Sequence, residues 1–178
     1  MVKGMVMSDD SVDWSRALFD ILFREGVRYF AFVPDAGNAK LIECADAHPE
    51  TRTVLLTTEE EGVAFCAGID LVGGRATLLL QSSGVGNCGN FLTLAKAARA
   101  PILLIVSMRG EYGERNPWQY PSGQAAVPLL QAMGVAAFRI EERAELAQAA
   151  DAATAAAFLS GQGAALVLSQ RFLGAKAL

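Results

Sequence analysis

The sequence predicts a doubly wound α/β fold: a six-stranded parallel sheet with helices on both faces. Six short segments rich in Val, Ile, Leu and Phe recur along the 178 residues, and the intervals between them are long enough for helices. The apolar segments also run continuously instead of alternating with polar residues, as strands do when both faces of a sheet are covered.

The elements follow in order. A helix over Val12–Glu25 opens the chain, with Ser11 placed as its cap and Gly26 as its stop. Strands are expected at Tyr29–Val33, Thr53–Leu56, Ala76–Leu80, Ile102–Val106, Ala136–Ile140 and Ala164–Leu168. The intervening helices fall at Ala39–Ala47, Glu60–Leu71, Cys88–Ala98, Ala125–Met133 and Ala144–Leu159, stretches mostly rich in Ala, Leu and other helix formers. No linker, repeat or low-complexity tract divides the chain apart from an Ala-rich helix near 144–157, read as plain packing. One domain over residues 1–178 is therefore expected, long enough to bury a core without disulfides or a metal.

Composition narrows the function. The chain is 52% hydrophobic and only 19% charged, against roughly 25% charged in average globular chains, so apolar surface is expected to face another subunit. A net charge of −4 supplies no basic stripe for a phosphate backbone, which argues against nucleic acid. The most apolar runs, such as Pro101–Met108, stop well short of the roughly 20 residues that a bilayer span needs. The N-terminus carries Asp9, Asp10 and Asp13 instead of a signal-peptide apolar core, so a cytoplasmic protein is expected. Cys44, Cys66 and Cys88 are an odd number with no C-x-x-C pair, and are read as ordinary buried thiols and not as a disulfide or metal set. His48 is the only histidine, which disfavours a Ser-His-Asp triad.

Ligands in doubly wound sheets bind beyond the carboxyl ends of the strands, and four of the loops there are unusual. The first is Val33-Pro34-Asp35-Ala36-Gly37-Asn38. In the second, Thr57-Thr58 leads into Glu59-Glu60-Glu61-Gly62; the helix dipole alone would accommodate such carboxylates, at about 0.3–1 kcal/mol each. Glu59, however, directly follows a strand and precedes a very apolar run, where a half-buried carboxylate can be tuned for chemistry. The third, Gln81-Ser82-Ser83-Gly84-Val85-Gly86-Asn87, can present backbone N–H groups to an anion or heterocycle, or serve simply as a helix-start turn capped by Ser83 or Asn87. The fourth, Ser107–Gly123, is far longer than the median of about 4–6 residues. It holds Arg109 and Arg115, either of which could fork onto an anionic substrate, and Trp118 and Tyr120, fit for a lid, an interface or plain packing.

Taken in this order, the motifs resemble the pyrimidine-binding domain of thiamine-diphosphate enzymes, most closely the alpha subunits of sulfopyruvate decarboxylases and the related phosphonopyruvate decarboxylases. The resemblance covers nearly the whole chain. It rests on Gly26-Val27, on Phe32-Val33-Pro34-Asp35, on Glu59 with Gly68 nine residues on, on the run Gln81–Asn87, and on Arg109-Gly110-Glu111 with Asn116-Pro117-Trp118-Gln119.

The resemblance implies that Glu59 is the activating carboxylate, which hydrogen-bonds the cofactor's pyrimidine nitrogen and favours an imino tautomer able to take a proton. In the family that glutamate precedes a helical glycine by nine residues, so the resemblance points to Glu59 before Gly68, with Glu60 the runner-up and Glu61 behind it. By the same resemblance Pro34, Ser82, Ser83, Gly84 and Asn87 join Glu59 around the thiamine diphosphate, while Asp35, Arg109, Arg115 and Gln119 face the substrate. That substrate would be a small 2-oxoacid with an anionic tail, 3-sulfopyruvate or 3-phosphonopyruvate. In the family, diphosphate and Mg2+ are held by a second domain with a Gly-Asp-Gly start and a downstream Asn; no Gly-Asp-Gly occurs here. A beta subunit carrying that domain is the implied partner, in a hetero-oligomer. Two departures stand out: Leu129–Met133 offers no counterpart to the histidine pair of pyruvate decarboxylases, and Tyr120 follows Gln119 where phosphonopyruvate-type enzymes often have histidine. A non-catalytic nucleotide- or anion-binding module, or a regulatory subunit of the same fold, is the alternative left open by the residues.

Overall fold

The computed structural model describes residues 13–174. The six strands are β1 (Tyr29–Phe32), β2 (Arg52–Leu55), β3 (Ala76–Gln81), β4 (Ile102–Ser107), β5 (Val135–Ile140) and β6 (Gly163–Leu168), each ending within one residue of its expected span. All pair in parallel, in the order β2-β1-β3-β4-β6-β5. Every residue of β4 is buried, whereas the edge strands β2 and β5 mix exposed and covered positions, as strands with one open side do.

The period-2 pleat sends alternate strand residues to opposite faces, and each face carries its own core. On one face Phe30, Leu79, Leu103 and Ile105 meet helices α1 (Trp14–Arg24), α2 (Ala39–Asp46) and α6 (Leu146–Phe158) through Leu18, Phe19, Leu22, Leu41, Ala150, Ala153 and Ala157. On the other, Leu78, Leu80, Leu104 and Val106 meet α3 (Glu59–Leu71), α4 (Val85–Ala98) and α5 (Gln119–Ala132) through Val63, Cys66, Cys88, Leu92 and Leu130. Each large apolar side chain so buried contributes about 1.5–3 kcal/mol. The fold is the doubly wound one, and the Ala-rich α6 packs plainly on the sheet.

Helix starts depart from expectation where local chemistry misleads. The expected cap Ser11 lies outside the described residues; α1 is capped by Asp13, whose carboxylate accepts from the Ser15 N–H at 3.2 Å. Gly26, with φ +83°, follows its last turn as the expected stop. Helix α4 begins at Val85 instead of Cys88, directly after a 3₁₀ turn at Ser82–Gly84. Neither Ser83 nor Asn87 therefore caps it: Gly84 is its cap residue, without a side-chain bond, and Asn87 lies in its first turn. Helix α5 begins at Gln119, six residues before the expected Ala125, which shortens the fourth loop to residues 108–118. Pro121 is harmless in that first turn, where N–H groups lack helical partners anyway, and Pro128 sits on the exposed side of the helix. The four-residue α7 (Gln170–Leu173) was too short to leave a periodic signal.

The connections diverge in the middle of the sheet. The helix after β1, α2, lies on one face, and the helix after β3, α4, lies on the other, so the crevice between the carboxyl ends of β1 and β3 is the topological switch point. The Asn38 side chain bridges this gap, its Nδ2 donating to the Leu80 carbonyl at 3.3 Å and to Asp35 at 3.2 Å.

Candidate functional site

The first carboxylates of α3 divide three ways. Glu61 turns back and accepts from the Thr57 N–H at 2.9 Å, which ties the helix start to the strand end. Glu60 has a buried Oε2 with no hydrogen-bond partner among the described residues. Glu59 reaches across to α4, where Asn87 Nδ2 donates to its Oε2 at 2.7 Å. The Glu59 carboxyl lies against Gly84, and a Cβ built at Gly84 would overlap its Oε1. One oxygen is thus held by Asn87, and the other has no donor among the described residues. Glu59, Gly84 and Asn87, drawn from two loops of the sequence, meet at the sheet's carboxyl edge.

Beneath them the thiols are inert. Burial, joined by the negative charges of Glu59 and Glu60, pushes Cys88 up to about 12, and burial next to Cys88 does the same to Cys66, also to about 12. Neither is a nucleophile near neutral pH. His48 is also remote from the site: it packs between Phe19 and Phe23, with ring centroids 5.4 and 4.3 Å away.

A second cluster forms along the ends of β1, β3 and β4. Asp35 accepts from the N–H groups of Gly37 and Asn38 at 3.1 and 3.2 Å and from the buried Ser107 hydroxyl, so both of its oxygens hold the loop. Gly37 has to be small, because a Cβ there would stand 2.6 Å from that of Ser107. Ser82 Oγ accepts from the Arg109 N–H at 3.0 Å, and Ser83 accepts from Gln81 Nε2 at 2.6 Å. Both serine hydroxyls are thereby engaged in shaping the loops. Pro34 is exposed at the end of β1.

The keystone of the long loop is Glu114, whose side chain is 1% exposed. It accepts from Arg109 Nε and Nη2 at 2.5 and 2.7 Å, from the N–H groups of Gly110, Arg115 and Asn116, and from Gln170 Nε2. The Arg109 hydrogen bonds, followed by those N–H groups, outweigh burial and hold the Glu114 carboxyl well below the usual carboxylate range. Glu114 in turn raises the Arg109 guanidinium. The edge of Arg109 that would grip an anion bidentately is therefore occupied within the chain. Arg115 has an exposed side chain, whereas Gln119 is buried and accepts from Ser122 Oγ at 3.5 Å. Tyr120 donates its hydroxyl to the Glu114 carbonyl at 2.8 Å, and Trp118 is 63% exposed. Gly110 (φ +74°) and Gly123 let the loop touch α5, since a Cβ on either would overlap backbone of Gln119 or Arg109.

Asp35 and Arg109 line a small cavity of about 90 Å³ with Gly37, Ser107 and Gln170. Ser107, Glu114 and Gln170 were not singled out as site residues from the sequence. The only available signal was a buried-type carboxylate in a loop with two arginines, and that pairing is invisible without the fold. Among the described residues no group of three or more His, Cys, Asp or Glu could hold a metal ion.

Residues 12–125 match the model of the thiamine pyrophosphate enzyme, N-terminal TPP binding domain. The chain is 33% identical over 125 residues to sulfopyruvate decarboxylase subunit alpha of Methanococcus maripaludis, covering 70% of this chain and 75% of that one. It is 34% identical over 125 residues to the same subunit of Methanothermobacter thermautotrophicus, covering 70% and 76%. Phosphonopyruvate decarboxylase of Streptomyces viridochromogenes is 38% identical over 96 residues, which span 53% of this chain but 24% of that longer protein. In three dimensions the chain is similar to 2-oxoglutarate:ferredoxin oxidoreductase from Magnetococcus marinus, with a TM-score of 0.68 at 15% identity over 90% of this chain and 29% of that one, a likeness of fold alone.

Proposed function

The chain belongs to the thiamine pyrophosphate enzymes, as an N-terminal TPP binding domain, and we propose that it is the alpha subunit of a thiamine-diphosphate-dependent 2-oxoacid decarboxylase. Its substrate would be 3-sulfopyruvate or 3-phosphonopyruvate, and its products an aldehyde and carbon dioxide. The observation that carries this reading is the Glu59 carboxylate, steadied at Oε2 by Asn87 and left without a donor at Oε1 among the described residues. That arrangement fits the cofactor's pyrimidine ring, which needs one carboxylate oxygen to share a proton with a ring nitrogen.

Thiamine diphosphate, when bound, supplies the carbon that adds to the 2-oxo group and the cationic ring that takes up electrons as carbon dioxide leaves. The chain's own part is to hold and move a proton. Glu59 shares one at Oε1, Asn87 keeps the carboxylate pointed, and Gly84 leaves it room. Pro34, Ser82 and Ser83 frame the cofactor side. On the substrate side, Arg115 offers an exposed guanidinium to the anionic tail, while Asp35, Arg109 and Gln119 shape the wall behind it.

A beta subunit would bring Mg2+ and the diphosphate site, with both chains in a hetero-oligomer of the cytoplasm. Exposed apolar side chains support such docking: Leu71 is 86% exposed and Val72 80% at the end of α3, with Leu94 at 61% on the adjoining α4, in the same layer as Glu59.

Co-expression with a candidate beta subunit, followed by assay of carbon dioxide release from both substrates with thiamine diphosphate and magnesium, tests the reading. Release is expected from the complex and not from either chain alone; no release from either substrate would remove the substrate assignment. In the same assay Gly84→Ala is expected to lower kcat about tenfold or more with little loss of Tm. Its backbone (φ −71°, ψ −18°) accepts alanine, but the new methyl displaces the Glu59 carboxylate. A Gly84→Ala enzyme of parental kcat would contradict that placement.

A further inference from the structure

Three arginines gather at the opposite end of the sheet. Arg28 immediately precedes β1, Arg52 opens β2, and Arg75 immediately precedes β3. Their backbones are bonded in series, the Arg52 N–H donating to the Arg28 carbonyl at 2.8 Å and the Arg28 N–H to the Arg75 carbonyl at 3.1 Å. Arg28 and Arg75 stand level on neighbouring strands, about 4.8 Å apart, whereas Arg52 is level with Tyr29 and reaches the sheet's amino edge from the other side of the pleat. They line one open cavity of about 650 Å³ with Tyr29, Gly73 and Gly74.

Among the described residues each guanidinium donates hydrogen bonds through its Nη1 alone, and that of Arg75 also lies 5.0 Å from the Phe158 ring centroid. Arg28 Nη1 donates to the carbonyls of Phe23 and Val27 at 2.8 and 3.1 Å, and its guanidinium lies 3.7 Å from the Phe23 ring centroid. Arg75 Nη1 donates to the Glu25 carbonyl at 2.6 Å, and Arg52 Nη1 to those of Pro49 and Thr51 at 3.3 and 2.9 Å. Among the described residues no ion pair involves any of the three, and no hydrogen bond uses their Nε or Nη2. Glu50 also lines the cavity, but it pairs with none of them. Three like charges around one cavity repel one another without a counter-charge. Neutral carbonyls hold these side chains in place without cancelling that repulsion, and the unused donors are the ones that grip phosphate oxygens.

We propose that this cavity binds a polyphosphate group, free or carried by a nucleotide, at a site separate from the one around Glu59. Calorimetric titration of the purified full chain with inorganic triphosphate, and separately with ATP, at fixed ionic strength tests it. One saturable site is expected for triphosphate, weakened about tenfold or more by Arg52→Gln and weakened again by added salt. Tighter binding of ATP than of triphosphate would assign the site to a nucleotide; equal or weaker binding would assign it to the phosphate chain alone. Lack of saturation by either ligand at about 1 mM overturns the proposal, as does an unchanged affinity in an Arg52→Gln chain of parental Tm. Arg75→Gln is the second variant, read by the same criterion if Arg52→Gln does not fold.

Discussion

Replacing Glu59 with glutamine in the assembled enzyme is expected to lower the rate of carbon dioxide release by about two to four orders of magnitude, the usual worth of a positioned proton-transfer group. The amide keeps the shape of the side chain and can still accept from Asn87 Nδ2, so the start of α3 and the contact with α4 should persist. It loses the ability to take and return a proton at Oε1. The loss should therefore appear in kcat, with the complex assembled and its Tm near the parent's. Glu60→Gln is the matched control, because Glu60 lies one residue away and its Oε2 is buried without a partner among the described residues. A Glu59→Gln enzyme of full rate beside an inactive Glu60→Gln would move the activating role by one position; two active variants would discard a carboxylate mechanism at this helix start.

Glu114→Ala is expected to be the most destabilising single change in the long loop, at about 3–5 kcal/mol, because it leaves a partly buried guanidinium without its counter-charge. The N–H groups of Gly110, Arg115 and Asn116 lose their shared acceptor at the same time. For a chain of this size that corresponds to a fall in Tm of roughly 10 °C, measurable by thermal denaturation followed by circular dichroism. A fall of less than about 2 °C would show that Glu114 is not the keystone of the loop.

The same residue sets a direction for pH. Its folded-state carboxyl lies well below the usual range, chiefly through Arg109 and then through backbone N–H donors. The unfolded chain takes up that proton near the ordinary value of about 4.3. Its stabilisation is therefore complete above that pH and is lost progressively as acid carries the folded state toward its own lower value. Glu114→Gln should accordingly show a flatter dependence of Tm on pH between about 5 and 3 than the parent, while starting from a lower Tm at neutral pH.

How much was legible before the fold depended on how local the cause was. Strand spans could be read to within one residue because each central strand is buried on both faces and so must be apolar throughout, as in Ile102–Ser107. Helix starts were harder. Gln119-Tyr120-Pro121 reads as loop by propensity, yet the helix begins there, since Gly110 and Gly123 let the long loop dock on its first turn. The register of the family it resembles favoured Glu59 over Glu60 and Glu61, but its bond to Asn87 depends on how α3 and α4 pack. Arg109 looked like an anion fork because nothing in the order of residues shows that Glu114, five positions on, already fills it.

By itself the sequence determined the alternation of strands and helices and the family, because both rest on residue type and near-neighbour spacing. Tertiary structure alone decided which carboxylate oxygens lack a donor among the described residues, which arginine is tied down, and that Arg28, Arg52 and Arg75, each more than 20 positions from the next, line one cavity. The physical reason is that hydrogen bonds and charges act over a few ångströms of space, and parallel pairing makes neighbours of residues that the chain keeps far apart.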